Sequence, residues 1–187
     1  MQLFVALEVP AEVRENLASL LQSFRAVSPQ IRWVRPENLH VTLKFIGEVP
    51  QTKLAEIRSA LASVRSAQSV TLDFRGLGFF PNEKRPRVFW TGIAASANLK
   101  TLAADIDGAT ERLDIPREQR PFSPHLTLAR FDPPRLPETL RAPIRENAAR
   151  DFGSLRASQF HLIESKLKPS GAEYTTVESF SFAAAEA

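Results

Sequence analysis

Apolar residues recur at intervals of three and four positions in three stretches of the chain, a spacing typical of amphipathic helices. The stretches cover residues 13–24, 54–64 and 99–113. A fourth, shorter helix is expected around 137–147, in a proline-rich stretch. The other apolar segments are short and rich in β-branched and aromatic residues, which predicts strands. These segments are 2–8, 31–34, 39–46, 69–75, 87–93, 124–130, 155–166 and 174–182.

Glycine and proline mark the breaks between the predicted elements. Residues 76–86 contain several such breaks and a basic tip, so they are predicted to form a long exposed loop between two strands. A second loop is predicted at 114–124. No low-complexity linker divides the chain, and we therefore expect a single domain over residues 1–187.

One segment of the chain is repeated about half a chain length later. Residues 36–45 have the sequence PENLHVTLKF, and residues 121–130 have the sequence PFSPHLTLAR. Both segments contain a predicted strand. The repeat suggests a duplicated α+β architecture with pseudo-twofold symmetry, in which two strand-helix-strand halves each contribute one such strand.

The composition is that of an ordinary soluble globular protein, since 43% of the residues are hydrophobic and 24% are charged. The chain contains no cysteine, which excludes disulfides, thiolate metal sites and a cysteine nucleophile. No apolar stretch reaches the roughly 20 residues that a membrane-spanning helix needs. We expect a cytoplasmic, monomeric protein that is not associated with a membrane. Most of the 24 basic residues are arginine, which fits an anionic ligand and fits a solubilising surface equally well.

The repeated segments share the sequence His-x-Thr-Leu, beginning at His40 and at His125. By composition alone, two such matches among the three histidines have a chance on the order of one in ten thousand. Alternate residues of a strand face the same side, so His40 and Thr42 project together, as do His125 and Thr127. The residues between them are apolar and face the other way. Each segment therefore predicts a strand with one side on the core and the other on a cleft.

The residue types in these segments suit acid–base chemistry at phosphorus. Imidazole accepts and donates protons near neutral pH because its unperturbed pKa is about 6.5. Two imidazoles that face one phosphorus atom can act as general base and general acid, each contributing roughly 10²–10⁴-fold. The two threonine hydroxyls would hydrogen-bond the phosphate oxygens, which carry the negative charge of the transition state. Three histidines without a carboxylate at ligand spacing make a poor metal set, so we expect no metal and no cofactor.

Other residues that could carry chemistry are less well supported. The chain has no Walker loop, no glycine-rich dinucleotide motif and no nucleophile elbow. The carboxylate pairs Asp105/Asp107 and Glu111/Asp114 lie in or beside a predicted helix and are interpreted as solvated surface. His161 lacks the threonine and lies in an apolar strand, so it is interpreted as a structural or surface histidine.

At the two His-x-Thr segments the sequence resembles the 2H phosphoesterase superfamily, and specifically the bacterial and archaeal RNA 2′,3′-cyclic phosphodiesterases once called 2′-5′ RNA ligases. The resemblance covers nearly the whole chain. Its motifs are residues 3–7 (LFVAL), 33–47 (WVRPENLHVTLKFIG), 78–82 (GFFPN), 86–90 (PRVFW) and 121–130 (PFSPHLTLAR), together with a late tyrosine, Tyr174.

The resemblance implies a bilobal fold in which two antiparallel sheets line a central cleft, with helices packed outside. It also implies hydrolysis of the 2′,3′-cyclic phosphate of an RNA end, or of the corresponding nucleotide, to a 2′-phosphomonoester. Carried onto this chain, His125 would activate water and His40 would protonate the departing 3′-oxygen. Thr42 and Thr127 would hold the phosphate.

Two basic residues of the repeated segments are further candidates for substrate binding. Arg130 matches an arginine of the family's second motif and is expected to assist at the phosphate. Regular strand parity places it on the face opposite His125, so either the strand bulges or twists there or Arg130 serves elsewhere. Lys44 shares the parity of His40 and is expected to reach the cleft, with a solvated lysine as the alternative.

Three aromatic residues are candidates for stacking on a base, namely Phe4, Phe45 and Tyr174. For Phe4 and Phe45, core packing is favoured, because an aromatic residue in a strand usually belongs to the core. The basic residues at 84–87 could follow an RNA backbone, although charge at a loop tip needs no function.

Other functions remain open from the sequence. The same residues could act on a cyclic phosphate of ADP-ribose or on a 2′-5′ linked oligonucleotide, or they could catalyse the reverse reaction that seals 2′-5′ ends. An RNA-end binding module with little turnover is the alternative from a different class. The enzyme is favoured because both histidines and both threonines are present.

Overall fold

The computed structural model describes residues 1–66 and 68–182, which form an α+β fold. The strands are β1 (Gln2–Glu8), β2 (Arg32–Trp33), β3 (His40–Glu48), β4 (Val70–Phe80), β5 (Val88–Ala95), β6 (His125–Arg130), β7 (Asp151–Ala157), β8 (Gln159–Lys168) and β9 (Gly171–Ser181). The helices are α1 (Ala11–Val27), α2 (Leu54–Ala62), α3 (Asn98–Glu111) and α4 (Glu138–Glu146).

The strands form two antiparallel sheets, as expected. The four-stranded sheet has the order β3-β1-β8-β9, and the five-stranded sheet has the order β2-β6-β5-β4-β7. The two strands with a His-x-Thr sequence, β3 and β6, therefore belong to different sheets. The sheets are not sequential halves of the chain, because the C-terminal hairpin β8–β9 completes the sheet that β1 and β3 begin.

Strand β1 explains why the chain opens with an unbroken apolar run. Its residues Leu3, Val5 and Leu7 join the main core, and each is fully buried. Phe4 and Ala6 face the other side, where they form a small separate cluster with residues of β8 and β9. A strand that is covered on both faces needs apolar residues at every position, whereas a half-exposed strand alternates.

Helix α1 packs its apolar side against the five-stranded sheet. Phe24 lies 6.0 Å from Trp33 and 6.1 Å from Phe89, measured between ring centroids. Burying a side chain of this size stabilises the fold by roughly 1.5–3 kcal/mol. This packing covers the buried face of the five-stranded sheet, opposite to the face that carries His125.

The four predicted helices and most of the predicted strands are confirmed, and two segments were assigned wrongly. The stretch 155–166 is not one strand, because the chain leaves the five-stranded sheet after Ala157 and enters the four-stranded sheet at Gln159. The predicted loop 76–86 is shorter, because β4 continues to Phe80. Gly76 interrupts β4 only as a bulge, at a φ of 78° that glycine tolerates.

The helices of residues 1–66 and 68–182 include none that is long and apolar enough to cross a membrane.

Candidate active site

A cavity of about 290 Å³ brings the two His-x-Thr pairs together. The four-stranded sheet contributes Phe4, His40, Thr42, Phe45 and Tyr174 to its lining, and the five-stranded sheet contributes His125, Thr127 and Arg130. Among the described residues, no carboxylate side chain lines the cavity. Its fixed charge is the guanidinium of Arg130, which suits an anionic ligand.

The two imidazoles are held in the same way, each by a hydrogen bond to a backbone carbonyl oxygen. The Nδ1 atom of His40 lies 3.2 Å from the carbonyl oxygen of Asn38, and the Nδ1 atom of His125 lies 2.8 Å from that of Ser123. A carbonyl oxygen can only accept, so each Nδ1 carries the hydrogen. In the neutral ring the lone pair is then on Nε2, and in the charged ring Nε2 carries the exchangeable proton. Both side chains are therefore prepared for proton transfer through Nε2.

Aromatic rings surround the two imidazoles. Phe4 and Tyr174 meet the ring of His40 edge-on, at centroid distances of 6.2 and 5.7 Å. Phe80 meets the ring of His125 edge-on at 5.0 Å. These contacts limit how each imidazole can rotate.

Burial lowers the pKa of His40 below its ordinary value, because a charged ring loses solvation there. The hydrogen bond to Asn38 opposes this shift in pKa, and so does the negative charge of Glu8. The positive charge of Arg14 lowers the pKa further. In the free protein His40 consequently favours the neutral form.

A β-bulge follows the His-x-Thr sequence of β3. Thr42 and Lys44 pair with consecutive residues of β1, so Leu43 is left without a partner. The extra residue reverses the alternation of the strand. Phe45 consequently lies on the cavity side, where it is 58% exposed. The expectation that Phe45 packs in the core is wrong for this reason.

Lys44 points away from the cavity because of the same bulge. It is 4% exposed, and its Nζ donates to Asp107 Oδ1 at 2.6 Å and to the carbonyl oxygen of Pro116 at 2.6 Å. The predictions that Lys44 reaches the cleft or is solvated are both wrong. Asp107 is not solvated surface either, since its side chain is 15% exposed in this ion pair. The pair joins β3 to α3 and to the loop that leads into β6.

A second bulge follows the His-x-Thr sequence of β6, at the equivalent position of the repeat. Thr127 and Ala129 pair with consecutive residues of β5, so Leu128 is the extra residue. The alternation is reversed after it, and Arg130 lies on the same side as His125, in the lining of the cavity. Of the two alternatives left by strand parity, the structure has the bulge.

Phe4 and His161 are both buried, but they lie in different places. Phe4 is 6% exposed and packs against Ala6 and Ile163, beneath the cavity. His161 is 6% exposed and does not line the cavity. Its Nδ1 lies 2.8 Å from the hydroxyl of Ser179, and burial lowers its pKa. His161 is therefore a packed histidine of the four-stranded sheet.

Sequence reasoning did not identify Asn38, Ser123 and Phe80 as residues that contact the histidines. Asn38 and Ser123 each precede a histidine by two positions. Their only sequence signal is that they lie beside a turn or a proline just before a predicted strand. Phe80 falls in the segment that was predicted to be a loop. In the described part of the chain, no three histidine, cysteine or acidic side chains are grouped so that they could hold a metal ion.

Known proteins are similar to this chain over nearly its whole length. The model of a family described as LigT-like phosphoesterases matches residues 7–90 and 93–174. The RNA 2′,3′-cyclic phosphodiesterase of Archaeoglobus fulgidus is 36% identical over 180 residues, which are 96% of this chain and 99% of the relative.

Two solved structures have a similar fold. A crystal structure of a Thermus thermophilus protein is 33% identical with a TM-score of 0.81, and the match covers 97% of this chain and 98% of that one. The structure of E. coli LigT complexed with 3′-AMP is 28% identical with a TM-score of 0.75, and the match covers 96% and 97% of the two chains.

Proposed function

This chain belongs to the LigT-like phosphoesterase family, and from that membership we propose that it hydrolyses the 2′,3′-cyclic phosphate of RNA ends to a 2′-phosphomonoester. The proposal includes a metal-independent mechanism in which two histidines transfer protons. The observation that carries it is the pair of imidazoles on the two sheets, each with Nδ1 bound to a carbonyl and Nε2 left for the cavity.

In the proposed reaction a water molecule attacks the phosphorus of the cyclic phosphate. The Nε2 atom of His125 accepts a proton from the water as its oxygen bonds to phosphorus. The bond from phosphorus to the 3′-oxygen breaks, and Nε2–H of His40 donates its proton to that oxygen. After the reaction His125 carries the proton taken from water, and His40 has lost the proton given to the 3′-oxygen. Proton exchange between the imidazoles and solvent restores both residues for the next turnover.

The remaining groups of the cavity bind the charge and the base of the substrate. The hydroxyls of Thr42 and Thr127 donate hydrogen bonds to the non-bridging oxygens, and the positive charge of Arg130 attracts the anionic substrate to the cavity. The aromatic rings of Phe45 and Tyr174 offer a surface on which a base can stack, which is typically worth roughly 1–3 kcal/mol. Phe4 supports this surface through an edge contact with Tyr174, at a centroid distance of 5.0 Å.

The test is incubation of the purified protein with a nucleoside 2′,3′-cyclic phosphate in excess EDTA, with the products separated by chromatography. We expect the 2′-phosphate as the product and no effect of EDTA on the rate. His40→Ala and His125→Ala should each lower kcat by roughly 10²–10⁴-fold. His161→Asn is the matched control, because this histidine lies outside the cavity, and it should keep the wild-type rate.

Three results would count against the proposal. Absence of turnover by the wild-type protein would exclude the reaction. Loss of activity in EDTA that added metal restores would exclude the metal-independent mechanism. Retention of activity in both histidine variants would exclude the assigned chemistry.

A further inference from the structure

Two arginines lie directly opposite each other where β2 meets β6. Arg32 pairs with Arg130 in this antiparallel ladder, and the neighbouring pair is Trp33 with Ala129. Trp33 and Ala129 are buried in the core, so Arg32 and Arg130 share the opposite face of the sheet. Side chains opposed in this way have Cβ atoms about 4.5–5.5 Å apart, and like charges at that separation destabilise a sheet.

The positive charge of this arginine pair is not balanced within the described part of the chain. Neither guanidinium has a carboxylate within ion-pair distance there, whereas five other arginines do. Arg130 lines the cavity, and so does Val34, which follows Arg32 by two residues on the same side. The arginine pair therefore lies at the rim of the cavity with both side chains exposed.

The position of the pair relative to Thr127 suits a second phosphate. Arg130 follows Thr127 by three residues, and one of these is the bulged Leu128, so the two side chains are two strand steps apart. Two steps span about 7 Å. This separation is comparable to that of successive phosphates in an RNA strand.

The opposite wall of the cavity indicates how the substrate is oriented. The residue that corresponds to Arg130 in the repeat is Phe45, which follows the equivalent bulge in β3. One wall thus offers an aromatic ring and the other offers two guanidinium groups. A nucleotide would place its base toward Phe45 and its anionic chain toward the arginines.

We propose that Arg32 and Arg130 form a subsite for the phosphoryl group on the 5′ side of the terminal nucleotide. In RNA this group is the phosphodiester that links the terminal nucleotide to the preceding one. The subsite makes an RNA end a better substrate than a cyclic nucleotide that lacks a 5′-phosphate. This inference rests on the proposed function and adds a second point of phosphate recognition to it.

The test compares three substrates with the same 3′-terminal nucleoside: the cyclic nucleotide without a 5′-phosphate, the 5′-phosphorylated cyclic nucleotide, and the dinucleotide with a cyclic end. We expect wild-type kcat/KM to be about tenfold higher for the two substrates that carry the 5′-phosphoryl group, as for one exposed charge-assisted contact. Arg32→Gln should remove most of this preference and leave the first substrate within about twofold of wild type. Arg32→Lys should retain part of it, because the charge remains.

Two controls separate the subsite from general effects of charge. Arg145→Gln removes an exposed arginine of α4 that has no ion pair among the described residues, and it should leave all three values unchanged. The salt dependence of kcat/KM for the dinucleotide should become shallower in Arg32→Gln, by roughly 0.7 in the log–log slope for one phosphate contact.

Several results would overturn the subsite. They are an equal loss on all three substrates in Arg32→Gln, no preference in the wild type, or a preference for the dinucleotide that the 5′-phosphorylated nucleotide does not share. Failure of the proposed function is distinguishable, because it appears as absence of turnover on every substrate. In that event, calorimetric affinities of wild type and Arg32→Gln for the dinucleotide 2′-phosphate measure the subsite without catalysis, and equal affinities reject it.

Discussion

At the scale of single residues, the two histidines share one tautomer but differ in their surroundings. Both donate Nδ1–H to a carbonyl two residues earlier in the chain. His40 lies against Phe4 and Tyr174, and burial lowers its pKa. A general acid with a lowered pKa is a stronger donor but is protonated in a smaller fraction of molecules at neutral pH. A bound phosphate, being negative, shifts that pKa upward.

The pH profile should reveal this difference. If His40 is the acid, kcat/KM depends on its protonation in the free enzyme, so the alkaline limb should lie below the ordinary imidazole pKa of about 6.5. The alkaline limb of kcat should lie at higher pH, because the bound phosphate raises the pKa of His40. Steady-state rates on a cyclic nucleotide across the acidic and neutral range measure both limbs. A kcat/KM that stays constant above neutrality would assign the acid role to another group.

The threonines provide a second prediction at this scale. Thr42→Val and Thr127→Val keep the side-chain shape but remove the hydroxyl, so each should lower kcat by about 10²-fold, as loss of one donor to an oxyanion does. Thr42→Ser and Thr127→Ser should retain most of the rate. Thr175→Val, at an exposed position of β9, is the control. A loss below about threefold in both valine variants would show that the hydroxyls do not contact the developing charge.

At the scale of secondary-structure elements, the two bulges decide which side chains reach the cavity. Each bulge comes directly after a His-x-Thr sequence, at Leu43 in β3 and at Leu128 in β6. Beyond each bulge the side chains alternate in the opposite sense. Phe45 and Arg130 therefore face the cavity, whereas Lys44 faces the protein interior. A period of two residues cannot foresee this, because a bulge adds a residue without adding a distinctive sequence.

The buried pair of Lys44 and Asp107 gives a test of how β3 is held to α3. Lys44→Met leaves the Asp107 carboxylate enclosed without its counter-charge, which should lower the free energy of unfolding by about 3–5 kcal/mol. Lys44→Met combined with Asp107→Leu removes both charges and should recover part of that loss. Urea denaturation monitored by circular dichroism measures both variants. A double variant less stable than Lys44→Met would show that the charge pair itself is not the cause.

At the scale of the whole molecule, the sheets interleave early and late parts of the chain. The cavity needs β3 from the first part, β6 from the middle and Tyr174 of β9 from the end. Each sheet, together with the cavity wall that it forms, contains strands from both halves of the chain. The site and the fold therefore depend on the same long-range strand pairs.

The stability of the whole fold should depend on pH through its buried histidines. Burial lowers the pKa of both His40 and His161 in the folded state. The unfolded chain therefore binds protons first, at the ordinary pKa of about 6.5, and the free energy of unfolding should fall as the pH drops below that value. His161→Asn should show a smaller fall than wild type in urea denaturation at pH values on either side of it. Parallel profiles for the two proteins would mean that His161 contributes nothing to the dependence.

The sequence by itself determined the helices, most of the strands and the pairing of His40 with His125 as candidates for one site, and its resemblance to a known family implied the two antiparallel sheets. Local periodicity carries the helices and strands, because a helix or strand buries one side at a fixed interval, and the repeated His-x-Thr-Leu sequence carries the histidine pair. Only the tertiary structure decided that 155–166 is divided between two sheets, that Lys44 is buried with Asp107, and that Phe45 and Arg130 face the cavity. These outcomes depend on which strands become neighbours and where their registers slip, and such contacts between distant residues leave no trace in local spacing.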